Sequence, residues 1–438
     1  MYRDSRGYLL FPIKNDQYMN GSQNISKDCT YSVNKKNVFR GLHINTFGKL
    51  ITCISGKFID IMVNMETLEV KYYNISPGDQ IYCPGNYGHG FLSLEENSVL
   101  SYHCEGYFGS EVGGLLNYKD PYLNISLPVD DSEIIINEKD SNAPFLQFDY
   151  FMLGHKGFIG SHIYEELKIK NKKVLGLSNR MEDIKGIKSL MQFYKPKYFI
   201  NCAGLTGTPN VEWCNSHQKE TLMTNVINQI NILNLCNEYN VHCTIIGSGM
   251  IFKTSIYNSN STANVKYSIN NGDLCDNNHY YSRCRVLLED QIKPFKNYLY
   301  LRINYPFSNK IENEKNLLHK LLFKYSHIEN VALSVTNLNA LVPILPVMIE
   351  NQEIGIFNFV NKNKINMYDL YLWAKEKYSR ESKYVRLMEK YESNSVSNSV
   401  NSSKTKIKIE TKRESIQLVP DKLENYCIDD VYESLNKL

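Results

Sequence analysis

EKDSNAPFLQFDYFMLGHKGFIG, residues Glu138 to Gly160, is where two kinds of sequence meet. From Leu146 to Leu153 the run is apolar and aromatic enough for a buried strand. Gly154, Gly157 and Gly160 follow at once, with the helix-like Ser161-His162-Ile163-Tyr164-Glu165-Glu166-Leu167 behind them. A glycine triplet is weak evidence by itself, but strand, glycine turn and helix in succession let backbone N–H groups approach a pyrophosphate at a helix N-terminus. Upstream of Leu146 the pattern is all-β. The expected division is therefore 1–145 and 146–438.

The chain of 438 residues is long enough for two or three units with sizeable cores. Its 49 basic and 46 acidic residues leave a net charge of +3, with no long basic run, so no global field draws nucleic acid or an anionic membrane. Eleven cysteines, an odd number without a Cys-x-x-Cys pair, read as reduced thiols rather than a disulfide framework or a zinc site. No apolar run approaches the roughly 18 residues of a membrane span, and MYRDSRGYLLFPIK lacks the core of a secretory signal. A cytoplasmic protein is expected.

Between Val38 and Tyr107 short alternating runs, such as Leu50 to Ile54 and Phe58 to Val63, are separated by turn residues at Ser55-Gly56 and Ser76-Pro77-Gly78-Asp79. This reads as a double-sheet β jelly roll, a fold that often holds a ligand between its sheets. Polar groups on apolar strands are then informative: His43, Lys49, Asp60, His89 and Tyr102. A lone inward histidine is usually a hydrogen-bonded core residue, but five titratable groups in one barrel point to chemistry. Neither His43 nor His89 belongs to a His-x-His pair, which argues against metal.

Arg40-Gly41-Leu42-His43, Gly48-Lys49-Leu50, Phe58-Ile59-Asp60, Pro84 to Phe91, Tyr102 and Asn117 to Pro121 together resemble the dTDP-4-dehydrorhamnose 3,5-epimerases, cupin-type enzymes. The likeness extends to Asp4, Arg6 and Gly7 and to Glu138-Lys139-Asp140. It implies that His43 is the base, oriented by Asp140, that Lys49 stabilises an enolate, and that Tyr102 returns a proton from the other face. Arg6, Arg40 and His89 would hold substrate, with Asp60 in support, and no metal or redox group would be needed here. It also implies a homodimer through this unit.

Further along, Lys173 to Leu177 reads as a second strand ending in Ser178-Asn179-Arg180. No acidic residue stands there for a ribose hydroxyl, and Arg180 suits a 2′-phosphate, so NADPH is expected over NADH. Tyr198 to Gly204 and Cys243 to Met250 read as further strands, the latter ending at Ser248, while Tyr281 and Arg285 sit four apart on a helix. A serine, a tyrosine and a cation are the set found in extended short-chain dehydrogenases, which this part of the chain resembles. Ala203 to His217, Glu220-Thr221 and Thr224-Asn225-Val226 resemble in particular the 4-reductases of nucleotide-rhamnose synthesis, with a Rossmann fold and a small substrate-binding lobe. The resemblance places Gly154, Lys156, Gly157, Phe158, Ile159, Gly160, Ser178, Asn179, Arg180, Cys202, Ala203, Gly204, Asn225, Tyr281 and Arg285 around the cofactor. It places Asn210 and Lys320 near the substrate.

Two departures stand out. Arg285 occupies the position of the family lysine and cannot lose a proton. Met250 occupies the position of a cysteine in relatives that also epimerise, and a thioether moves no proton. NSVSNSVNSS, within a stretch at about 392–404, reads as a flexible insertion. The expected activity is a 3,5- or 3-epimerase joined to a 4-reductase, acting on a UDP- or dTDP-linked 4-keto-6-deoxyhexose to give a rhamnose-type nucleotide sugar. A 2-acetamido sugar, and an epimerase carrying a degenerate NADPH-binding unit, are the competing readings.

Overall fold

A computed structural model describes residues 2–4, 7–14, 28–106, 113–208, 210–251, 265–267, 279–382, 384–387, 408–410 and 416–438. It separates into two units, Met1–Gln147 and Phe148–Leu438. The division falls two residues beyond the expected one. Leu146 belongs to the front unit: its N–H donates to Asp120 Oδ2 at 2.8 Å, and its side chain packs against the cluster around Phe39 and Tyr118.

Among the described residues the front unit has eleven strands: β1 Tyr2–Asp4, β2 Gly7–Lys14, β3 Asp28–Asn34, β4 Phe39–Ile44, β5 Lys49–Ser55, β6 Phe58–Asn64, β7 Val70–Ile75, β8 Gln80–Cys83, β9 Tyr87–Ser93, β10 Ser98–Cys104 and β11 Gly114–Leu115. They form two antiparallel sheets, ordered β1-β2-β3-β10-β5-β8 and β11-β4-β9-β6-β7. Alternation decides which side chains meet: β5 buries Lys49, Ile51 and Cys53 on one face. That face joins Phe58, Met62 and Phe91 of the other sheet in one buried cluster. Behind the second sheet, Phe39, Leu42, Ile61, Val63 and Leu92 are covered by Leu116, Tyr118 and Leu123. Each such side chain contributes about 1.5–3 kcal/mol relative to its exposed state.

The register between β4 and β9 slips between Arg40 and His43, so that Arg40 faces Phe91 and His43 faces His89. Three positions apart on a regular strand, Arg40 and His43 would point to opposite faces. The irregularity brings both to the inter-sheet side. Gly41 makes it feasible: its φ is +128°, and a Cβ there would lie 2.5 Å from Gly90 Cα.

The rear unit is built on a parallel sheet, β12 Tyr150–Leu153, β13 Val174–Gly176, β14 Tyr198–Asn201, β15 His242–Ser248, β16 Tyr298–Ile303 and β17 Gly355–Asn358, in the order β13-β12-β14-β15-β16-β17. The strand expected from Leu146 is shorter and begins at Tyr150, since Leu146 is committed to the front unit. All four residues of β12 are buried, as a strand covered on both faces requires. Helices Phe158–Ile169, Ile184–Tyr194, Asn228–Glu238 and Tyr280–Ile292 accompany the sheet. The strand order reverses between β12 and β14, and crevices for ligands open at such switch points.

A smaller lobe gathers Val265–Tyr267, Ile416–Leu418, Ala332–Leu333 and Ile365–Asn366 into one sheet. Its core includes Leu333, Leu370 and Tyr371 with Val431 and Leu435 of the returning C-terminal helix. The insertion expected at about 392–404 lies outside the described residues, as does Arg6.

Candidate active site

In the front unit His43 and the carboxylate that holds its ring come from distant parts of the chain. Asp140 sits on the short helix Glu138–Ser141, whose N-terminus is capped by Asn137, and it is almost wholly buried. Its Oδ1 lies 2.9 Å from His43 Nε2, and its Oδ2 accepts the Gly41 N–H at 3.2 Å. With Nε2 committed, Nδ1 is the ring nitrogen left for substrate, and 41 % of the His43 side chain is accessible. The carboxylate therefore holds the ring and would stabilise an imidazolium once a proton is taken.

Across the sheet, His89 is the strand partner of His43 and lies 2.7 Å through Nε2 from Asp60 Oδ2. His89 and Asp60 are both buried, and burial holds the His89 imidazole below its usual range despite Asp60. Lys49 is buried too; desolvation pulls its ammonium below the ordinary lysine range, while Cys83, Cys104 and Asp60 oppose the shift. In its ammonium form such a lysine is suited to an enolate oxygen. Burial pushes the Tyr102 phenol up, with a Ser32 hydrogen bond and the Arg40 charge acting against it, which keeps it a proton carrier rather than a phenolate. Its ring stands edge-on to His89 with centroids 6.3 Å apart. Arg40 Nε donates to Asn34 Oδ1 at 2.8 Å, a positioning contact that nothing in the local sequence announces.

In the rear unit the glycine turn fits a dinucleotide phosphate. Gly154 has φ +73°, and a Cβ there would lie 2.7 Å from the Ala203 nitrogen, so the loops after β12 and β14 touch. A Cβ at Gly160 would lie 2.1 Å from the Gly154 oxygen, which seats the helix against the turn. Gly157 caps helix Phe158–Ile169 without any side-chain hydrogen bond, leaving the first-turn N–H groups of Phe158, Ile159 and Gly160 for an anion. Lys156, Ser178 and Arg180 are exposed. Asn179 Nδ2 donates to Asp183 at 2.6 Å, an acidic neighbour four residues on, but that carboxylate also accepts the Gly186 N–H and caps the next helix. Burial raises the Cys202 thiol, the Ala203 N–H is held by Asn201, and Asn225 grips both the N–H and the C=O of Leu205. Asn225 thus shapes the loop that follows Gly204.

Ser248 ends β15, where its Oγ accepts the Met250 N–H at 3.1 Å. Tyr281 and Arg285 face the same side of helix Tyr280–Ile292, with the guanidinium carbon 5.2 Å from the phenol ring centroid. Asn215 Oδ1 accepts the Tyr280 N–H at the start of that helix, so the loop with Asn210 also anchors the tyrosine. Trp213 stacks on His217 at 3.7 Å in the same segment. Asn210 is exposed and turns its side chain to Glu212 N–H. Lys320 is half-buried, its amine lowered by desolvation and by Lys324 and Lys315. The two sets of residues lie in separate units.

An imidazole–carboxylate pair between two sheets, and a serine–tyrosine–cation set at the end of a parallel dinucleotide-binding sheet, define a two-site enzyme. Residues 1–147 match the family model described as dTDP-4-dehydrorhamnose 3,5-epimerase, and residues 150–303 match that of the NAD dependent epimerase/dehydratase family. One match falls in each unit.

A bifunctional dTDP-4-dehydrorhamnose 3,5-epimerase/dTDP-4-dehydrorhamnose reductase from Arabidopsis thaliana is 28% identical over 220 residues, 50% of this chain and 72% of that relative. A trifunctional UDP-glucose 4,6-dehydratase/UDP-4-keto-6-deoxy-D-glucose 3,5-epimerase/UDP-4-keto-L-rhamnose-reductase from the same plant is 28% identical over 243 residues, 54% of this chain but 35% of that longer protein. Among solved structures, a UDP-rhamnose synthase from Acanthamoeba polyphaga mimivirus superposes with a TM-score of 0.54 at 20% identity, covering 67% of this chain and all of that one. At that identity the superposition speaks for the fold.

Proposed function

We propose that the chain is a bifunctional enzyme that epimerises a UDP- or dTDP-linked 4-keto-6-deoxyhexose in its front unit and reduces the C4 ketone with NADPH in its rear unit. The product is a rhamnose-type nucleotide sugar. The observation that carries this reading is the His43–Asp140 pair at 2.9 Å, on the same strand face as His89. A proton beside a ketone is acidic enough for a neutral imidazole, provided a cation meets the enolate and a donor waits on the opposite face. His43 takes the proton, Lys49 receives the developing charge, and Tyr102 returns a proton to the other side of the ring, which inverts the carbon.

A bound nicotinamide supplies hydride in the rear unit. Ser248 orients the ketone oxygen and Tyr281 gives it a proton, with the Arg285 charge beside the phenol favouring that transfer. Arg180, Lys156 and Ser178, exposed around the ends of β12 and β13, suit a 2′-phosphate and favour NADPH. The relatives' names concern rhamnose-type sugars, which supports a hydroxyl rather than an acetamido group at C2. We place the enzyme in the cytoplasm, as a homodimer through the front unit; among the described residues no helix is long and apolar enough to cross a membrane.

Incubation with UDP- and dTDP-linked 4-keto-6-deoxyglucose in deuterated water tests both steps. Deuterium at C3 and C5 together with falling NADPH absorbance is expected. Deuterium without cofactor consumption would refute the reductase, and neither signal would refute both.

A further inference from the structure

Two buried amides hold one residue of the loop after β14, and the motifs read from the sequence account for neither. Asn201 closes β14 and Gln229 lies in helix Asn228–Glu238; both are wholly buried. Gln229 Nε2 donates to the Ala203 carbonyl at 2.8 Å, Asn201 Oδ1 accepts the Ala203 N–H at 3.1 Å, and Asn201 Nδ2 donates to Gln229 Oε1 at 2.9 Å. The backbone settles which way each amide points. A carbonyl only accepts and an N–H only donates, so Nε2 and Oδ1 must face Ala203, and the remaining nitrogen meets the remaining oxygen. The three bonds form a closed ring, in which no amide can turn over without breaking two of them.

Leu205 is held in the same manner, by Asn225 alone: its N–H is accepted at 2.9 Å and its carbonyl receives a hydrogen bond at 2.7 Å. Asn225 sits in the π turn Met223–Ile227, and Gln229 follows four residues later, so one irregular stretch of helix delivers both clamps. Gly204 lies between the two clamped residues, and among the described residues no hydrogen bond holds it. A Cβ on Gly204 would lie 2.9 Å from Arg285 Nη2, which puts this glycine beside the Tyr281–Arg285 set. On the other side, Ala203 abuts the turn after β12, with 2.7 Å between its nitrogen and a Cβ placed on Gly154. A shift of Ala203 is therefore felt at the phosphate turn and at Gly204 alike.

We infer that Gln229 is a positioning residue for the cofactor: with Asn201 it fixes Ala203 against the Gly154 turn, leaving the Gly204 peptide as the loop's open contact for the dinucleotide. Gln229→Leu would fill similar space but leave the Ala203 carbonyl and Asn201 Nδ2 facing an apolar side chain, a costly arrangement in a buried site. Gln229→Glu keeps the shape and one acceptor for Asn201. Its second oxygen would confront the Ala203 carbonyl while ionised, and would donate to that carbonyl once protonated.

The inference rests on the reductase reading, and calorimetric titration with NADP+ separates the two. If the wild-type chain binds no NADP+, the reading fails and the clamp's purpose with it. If it binds, Gln229→Leu should weaken affinity about tenfold at every pH, as loss of a buried hydrogen bond implies. Gln229→Glu should show a similar loss at about pH 8.5 and return to within about threefold of wild type at about pH 6, because a buried carboxyl protonates above its ordinary range. Cooperative melting of both variants at each pH shows that the rear unit is folded. A purely space-filling role for Gln229 predicts neither the loss in Gln229→Leu nor the recovery in Gln229→Glu. Affinity unchanged in Gln229→Leu, or a Gln229→Glu deficit that is the same at both pH values, would overturn the inference.

Discussion

His43 and Asp140, 97 residues apart in sequence, meet at 2.9 Å, and the same carboxylate takes the Gly41 N–H through its other oxygen. One buried acid thus fixes both the imidazole and the backbone of the strand that carries it. His43→Asn should abolish solvent deuterium incorporation by roughly 10²- to 10⁴-fold, the contribution of a positioned base, while NADPH binding by the rear unit is retained. Asp140→Asn should also lower exchange, and should in addition reduce thermal stability because Gly41 loses a charged acceptor. NMR of the sugar ring protons and a melting curve measure the two effects.

Lys49 gives the epimerase a specific pH signature. Its folded-state pKa is depressed by burial below 10.5, and the charged form is the one proposed to stabilise an enolate. Activity is therefore complete well below the folded pKa and fades as pH rises through it, earlier than for a free lysine. Lys49→Arg, which stays protonated, should move that alkaline limb of deuterium exchange to higher pH even if it lowers the rate.

Met250 bears on which unit inverts carbon. Its thioether cannot carry a proton, so a His43→Asn chain should place no deuterium in a 4-keto sugar at any concentration of the rear unit's cofactor. Supplying the pre-epimerised ketone should restore NADPH consumption in that variant. Deuterium incorporation in the His43→Asn chain would return epimerisation to the rear unit.

Glu289 and Arg302 form a buried two-point ion pair behind the reductase site, and burial raises the Glu289 carboxyl even against its partner. Arg302→Met strands that carboxylate and should cost about 3–5 kcal/mol of stability at neutral pH, measured by denaturant unfolding. Because a stranded Glu289 would ionise only at still higher pH, the deficit should shrink as pH falls and the carboxyl is protonated.

Gly154→Ala tests the dinucleotide turn. A φ of +73° disfavours any side chain, and the new Cβ would lie 2.7 Å from the Ala203 nitrogen. NADPH affinity should fall at least tenfold, a loss of about 1–3 kcal/mol expected of strained backbone, with epimerase exchange untouched. Fluorescence titration of the cofactor reads the change directly.

Sequence by itself determined what is local in this protein. Alternation on β5, the apolar run Tyr150–Leu153 with its glycine turn, and the four-residue spacing of Tyr281 and Arg285 each follow from short-range periodicity, which backbone geometry imposes without help from distant residues. Only the tertiary structure decided which of these groups act together. Arg40 and His43 share a face because of a register slip, Arg40 is held by Asn34, and Leu146 stays with the front unit. Those relationships depend on strand pairing and packing between segments far apart in the chain, and one residue of register reverses which face a side chain occupies.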